Sequence, residues 1–205
     1  KVVITSSIVL IVVGTLLLKA TEDITWLGAF FQSVSARTAG FSTYTIGDFT
    51  NAGLFVLCVL MFIGASPGST GGGIKTSTFF VILQAVRSMC TKRSIGAFRR
   101  SISQQNVSKA CIIAVLSMAV VCIATFLMCV LEPECTFIQL LFEVVSAFGT
   151  VGLSTGITTS LSVAGKLVII LVMYTGRIGA VTLVSMWIEH PEQNARYTEE
   201  TISIG

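Results

Sequence analysis

The 205-residue chain is 53% hydrophobic and 11% charged, with a mean hydropathy of +0.88 and a formal net charge of +3. A soluble domain carries about a quarter charged residues, so this composition excludes one and predicts an integral membrane protein. Six cysteines without paired spacing and a single histidine, His190, read as buried small residues and a solvated helix terminus. They exclude a disulfide framework and a multi-histidine metal site.

The first element is an uncharged run, Val2–Leu18, long enough to cross a hydrocarbon core of roughly 30 Å. A polar turn, Lys19–Asp23, leads to a short apolar stretch, Ile24–Ala36, which at about 13 residues cannot span and is predicted to be re-entrant. Next comes a polar, glycine-bearing segment without helical periodicity, Thr38-Ala39-Gly40-Phe41. Non-helical backbone at membrane depth survives only where protein or a water-filled cavity satisfies it. An apolar helix over Asn51–Gly64 is then broken by Gly64-Ala65-Ser66-Pro67-Gly68-Ser69-Thr70-Gly71-Gly72-Gly73, and resumes at Thr76–Val86. Glycine costs about 1 kcal/mol and proline about 3 per helical position, so the break is firm.

Between Arg87 and Lys109 stand six bases and no acid, whereas Glu22, Asp23, Glu132 and Glu134 lie at the far ends of the spans. The positive-inside rule therefore makes the linker cytoplasmic, and a topology signal is favoured over a nucleic-acid role for it. The expected organisation is a first module over 1–90, a basic linker over 91–109, a second module over 110–190 and a cytoplasmic tail over 191–205. The second module repeats the first in order: the span Ala110–Leu131, the turn Glu132–Cys135, the short segment Thr136–Phe148, and an uninterrupted helix over Ala164–Ile188.

The two modules echo each other 112 residues apart: Thr38-Ala39-Gly40-Phe41 returns as Thr150-Val151-Gly152-Leu153, Met61–Gly64 as Met173–Gly176, and Phe30 as Phe142. A re-entrant helix directs the negative end of its dipole at a cation. An extended segment beyond it can turn carbonyl oxygens to an axis and replace a hydration shell. Gly40 and Gly152 supply backbone angles that side chains disfavour, and the hydroxyls of Thr38 and Thr150 can add ligands. Oxygen-only ligation suits an alkali cation, so these eight residues are the candidate filters.

The Gly64–Gly73 break is the candidate gate. Gly68–Thr76, with Lys75, nearly spells a phosphate-binding loop, but Ile74 intrudes before the lysine and a membrane helix replaces the required strand. Arg177 stands where the first module has Ala65. A charge deep in a membrane segment costs about 2.5–3.5 kcal/mol and marks a functional residue. Facing the path, Arg177 would repel cations and hold the loop by its carbonyls; alternatively it pairs with Glu143, the carboxylate of a predicted embedded segment. Arg37, which stands where the second module has Gly149, is a second candidate partner for Glu143, in a structural pair bracing the filters.

On Ser35–Ser42, Gly64–Thr76 and Ser146–Gly156 the chain resembles the potassium-transporting subunits of the Trk/Ktr/HKT superfamily, most closely the Ktr type. The resemblance implies an all-α membrane protein of the cell membrane, with helix–pore loop–helix repeats arranged like a potassium channel in one chain. This sequence would supply the third and fourth of four repeats, with the first two in a preceding part of the same protein. It also implies potassium at the filter carbonyls, Gly64–Gly73 as an intramembrane gating loop faced by Arg177, a homodimer in membrane lipid, and a cytosolic ring of nucleotide-binding regulatory subunits. An enzyme is not expected. The competing readings are a secondary transporter of a small solute, whose usual inverted copies the single cytoplasmic linker opposes, and a non-conducting assembly subunit.

Overall fold

A computed structural model describes residues 2–91, 96–97 and 100–179. His190, the tail over 191–205, the expected helix end at Ile188, and Lys92, Arg93 and Arg99 lie outside the described residues.

Among the described residues the chain is helical apart from two-residue strands β1 (Gly96–Ala97) and β2 (Arg100–Ser101), paired antiparallel in the linker. The helices are α1 (Val2–Thr21), α2 (Trp26–Ser35), α3 (Asn51–Phe62), α4 (Thr76–Thr91), α5 (Gln104–Leu131), α6 (Phe137–Gly149) and α7 (Val163–Ile178). The 20 residues of α1 and 28 of α5 reach about 30 and 42 Å, enough to cross a membrane. The 10 residues of α2 and 13 of α6 reach only about 15 and 20 Å, too short to cross.

Two boundaries differ from expectation. Helix α5 begins at Gln104 rather than Ala110, because Ser103 caps it and accepts the Asn106 N–H at 3.4 Å. Lys109 is thus a helical residue whose apolar stem can follow the helix while its charge reaches water. Helix α7 does not run on unbroken: it ends at Ile178, where Gly179 adopts φ 93° and breaks the helical path.

Helix α6 is the hub. It packs against α3, α5 and α7, and every residue from Phe142 to Gly149 is buried. From Phe142 onward it lies among Leu57, Met61 and Met128. The rings of Phe148 and Phe62 sit 6.0 Å apart. Since α3 belongs to the first module and α6 to the second, the modules interlock. Helices α1 and α5 instead expose Val9, Val12, Leu16, Val115, Phe126 and Val130, an apolar surface suited to lipid or to further membrane helices.

The echo has two registers. Capping residues Thr25 and Thr136, and the serines at the helix ends, Ser35 and Ser146, lie 111 residues apart, while the filter segments lie 112 apart. Phe142 therefore corresponds to Phe31, not Phe30, and Arg37 has Phe148 and Gly149 opposite it rather than Gly149 alone. The extra residue lets α6 continue where α2 has already ended.

A carboxylate in each module fastens the helix that follows the glycine-bearing segment. Glu22 Oε1 accepts the Thr50 N–H at 2.9 Å and the Thr50 hydroxyl at 2.6 Å. Glu132 Oε1 accepts the Ser162 N–H at 2.8 Å. Thr50 and Ser162 in turn cap α3 and α7 by accepting Gly53 and Gly165 N–H groups, each at 3.1 Å. An anion at a helix N-terminus is favoured by the dipole as well as by the hydrogen bonds. These acids read in the sequence only as a topology signal.

Candidate functional site

Each re-entrant helix ends in the same backbone device. Thr38 and Gly40 have φ 73° and 77°, Thr150 and Gly152 φ 52° and 95°, so a left-handed residue alternates with an ordinary one in both segments. Glycine tolerates this, but for a β-branched residue it is a true outlier, costing about 1–3 kcal/mol. The sequence reading assigned the unusual angles to the glycines alone and missed the threonines.

Helix-end hydrogen bonds hold the strain. The N–H groups of Ala39 and Gly40 both donate to Ser35 O, at 3.0 and 3.1 Å. Thr150 N–H donates to Ala147 O at 3.1 Å and Val151 N–H to Ser146 O at 3.0 Å, closing α6 with a left-handed cap. The Ser35 hydroxyl donates to Phe41 O, and the Ser146 hydroxyl to Leu153 O at 2.6 Å. The carbonyls of Phe41 and Leu153 each accept one of these bonds, and a carbonyl oxygen keeps a second lone pair. The two segments touch: a Cβ at Gly40 would overlap the Val151 carbonyl, whereas one at Gly152 would meet nothing within 4 Å. Beyond them opens a cavity of about 270 Å³ lined in part by Gly40, Tyr44, Gly152, Ser154 and Thr155.

Glu143 has neither expected arginine as a partner. It is buried and accepts from the Ser154 hydroxyl, from Thr155 N–H at 3.1 Å and from the Thr158 hydroxyl at 2.9 Å. Three nearby neutral donors satisfy the carboxylate, so the bracing pair with Arg37 and the pair with Arg177 are both overturned. Glu143 instead ties down the stretch leaving the second segment. In the first module, Gln32 does the corresponding work through Nε2, which donates to the Ser42 hydroxyl at 2.6 Å.

On the other side of the segments, residues 63–75 form a tucked loop. Its ends meet at a parallel Ile63–Ile74 bridge, where Ile74 N–H donates to Phe62 O at 3.0 Å. Among the described residues, three cations hold loop carbonyls. Arg177 Nη1 donates to Thr70 O; Lys75 Nζ donates to Gly71 O and, at 3.2 Å, to Ser69 O. Arg37 spans α1 and the loop, donating to Ser7 O at 3.3 Å and Gly64 O at 3.5 Å. Arg177 thus lies in the last turn of α7 rather than in mid-helix. The loop crown lies directly against the start of both left-handed segments: Gly72 N–H donates to the Thr150 hydroxyl at 2.8 Å, and a Cβ at Gly71 would come within 3.0 Å of Thr38 Oγ1. The Thr150 hydroxyl, expected to face a cation, is therefore engaged by the loop.

Paired re-entrant helices, each ending in a left-handed glycine-bearing segment above a docked loop, define a membrane protein of pore-loop architecture. The chain belongs to the TrkH family of cation transport proteins, whose family model matches residues 2–197, and it is accordingly an integral protein of the cell membrane. It is 43% identical over 181 residues to the Ktr system potassium uptake protein B of Vibrio alginolyticus, covering 88% of this chain and 40% of that protein. It is 40% identical over 189 residues to the Ktr system potassium uptake protein D of Bacillus subtilis, covering 91% and 42%. With the potassium/sodium uptake protein NtpJ of Enterococcus hirae it shares 39% over 199 residues, covering 94% and 44%. The crystal structure of the potassium transporter TrkH from Vibrio parahaemolyticus has the same fold, with a TM-score of 0.68 at 24% identity over 90% of this chain and 43% of that one. The chain spans about two fifths of the length of the curated relatives it matches.

Proposed function

We propose that this chain forms two adjacent quarters of a potassium uptake pore, as the third and fourth repeats of a four-repeat protein. The observation that carries the reading is the duplicated backbone device, in which Thr38–Gly40 and Thr150–Gly152 alternate left-handed and ordinary residues at the ends of re-entrant helices. That alternation turns successive carbonyls to one side, as replacement of a cation's hydration shell requires. The α2 and α6 C-termini add the negative ends of their dipoles. Potassium is cargo here. The other two repeats, a second copy of the protein and a cytosolic nucleotide-binding ring complete the proposed assembly.

Gly64–Gly73 acts as the gate in this reading, with Arg177, Lys75 and Arg37 holding it closed by its carbonyls and repelling cations below the filter. The test is ion flux into liposomes holding the complete protein. Potassium and rubidium should enter faster than sodium and lithium, and Gly152→Ser should reduce that preference. An unchanged preference in Gly152→Ser removes the filter assignment. Uptake of an organic solute without cation current replaces the pore with a secondary transporter.

A further inference from the structure

We infer that Thr150 is the latch between filter and gate, and that a cation at the filter floor and the docked loop compete for its hydroxyl oxygen. The inference rests on the pore reading above and adds to it a positioning residue and a coupling. The bond from Gly72 N–H to Thr150 Oγ1, 2.8 Å long, joins residues 78 apart and is the one hydrogen bond drawn from a loop N–H to a filter side chain among the described residues.

The surroundings leave that bond little freedom. Thr150 is fixed in the left-handed region at φ 52°, ψ 40°, with its N–H committed to the end of α6. Gly72 is buried, and a Cβ there would lie 2.6 Å from Phe148 O, 2.9 Å from Thr150 Cγ2 and 3.1 Å from Gly149 C. Only glycine brings the loop backbone this close. The other filter threonine, Thr38, meets the loop at Gly71 by contact alone, so the two modules are not equivalent at this level.

A hydroxyl oxygen has two lone pairs, and here the Gly72 N–H takes one. A cation ligated by the same oxygen would face the positive end of the N–H dipole, so each state weakens the other. Linkage makes the effect reciprocal: the docked loop lowers cation affinity at the floor, and cation binding releases the loop by the same factor. The filter would thereby report its occupancy to the gate.

Loop release can be read without flux. In the complete protein, assembled with its companion subunits and with native cysteines replaced, Ile74→Cys places a thiol that is buried while the loop is docked and keeps the backbone N–H that bonds Phe62 O. Labelling by a membrane-impermeant maleimide from the cytosolic side then measures undocking. Thr150→Val should raise the labelling rate about tenfold, in line with the loss of one buried hydrogen bond. Thr150→Ser, which keeps the hydroxyl, should restore slow labelling. Replacing an impermeant organic cation by potassium should speed labelling in the parent and have no effect in Thr150→Val. Slow, potassium-independent labelling in both the parent and Thr150→Val overturns the latch, even if the protein conducts. Conversely, the expected labelling pattern in a protein that passes no cation would uphold the latch and remove the pore reading. Size-exclusion profiles matching the parent establish that Thr150→Val has folded.

Discussion

Replacing Glu143 with alanine should loosen the whole outer end of the second filter segment. The carboxylate is 5% exposed and accepts from Ser154, Thr155 and Thr158. A hydrogen bond to a charged group contributes about 1.5–3 kcal/mol, so three such bonds set an upper bound of about 5–9 kcal/mol. Thr158 is exposed and Ser154 half-buried, so water can recover part of this on truncation, leaving a net loss of about 3–5 kcal/mol. Glu143→Gln keeps one acceptor oxygen for the Thr155 N–H and can donate to the Thr158 hydroxyl, so it should cost about 1–2 kcal/mol. The assay is thermal loss of the monodisperse peak of the complete protein in detergent, with rubidium-over-sodium flux as a second readout. Alanine should melt well below glutamine, and glutamine somewhat below wild type, with rubidium preference falling in the same order. Equal melting of all three proteins would refute the argument that these bonds hold the segment.

The two filter glycines should respond differently to alanine. Gly40→Ala meets the Val151 carbonyl as well as an unfavourable φ and should fail to assemble, while Gly152→Ala carries about 1–2 kcal/mol of backbone strain alone and should fold. Comparable expression and monodispersity would contradict this. At the carboxylate-bearing turn, burial first, and then Glu132, Glu134 and Glu143, raise the Cys135 thiol above its ordinary pKa. The thiolate is the reactive form, so alkylation should rise with pH later than for a free cysteine, and Glu134→Gln should shift the profile back to lower pH. A midpoint at or below that of free cysteine would show that the acids do not act on it.

How much of this was legible in the sequence depended on whether a feature is local. The re-entrant helices announced themselves by being too short to span, and the loop by five glycines and a proline in ten residues. The two left-handed segments were marked by the duplicated Thr-x-Gly. Partner choice was not legible. Attraction of opposite charges paired Glu143 with Arg37 or Arg177, yet the carboxylate found hydroxyl and amide donors a few residues beyond its own helix, and both arginines went to loop carbonyls. Which donors reach a buried group depends on helix rotation and depth, which apolar periodicity does not report. The register change was visible in principle: Thr25-Trp26 against Thr136-Phe137 and Ser35-Ala36 against Ser146-Ala147 both give 111, but the filter motif fixed the eye on 112.

That extra residue between Ala147 and Thr150 sets a rule for exchanging parts between the two modules. One residue is about 1.5 Å of rise and 100° of turn on a helix. A transplant joined upstream of the re-entrant helix and downstream of the filter carries its own spacing and can seat both the cap and the carbonyls. A transplant joined inside the filter inherits the wrong helix length and rotates one end out of place. The two modules are therefore interchangeable only as whole cassettes, and a substitution that is mild in one is no guide to the other.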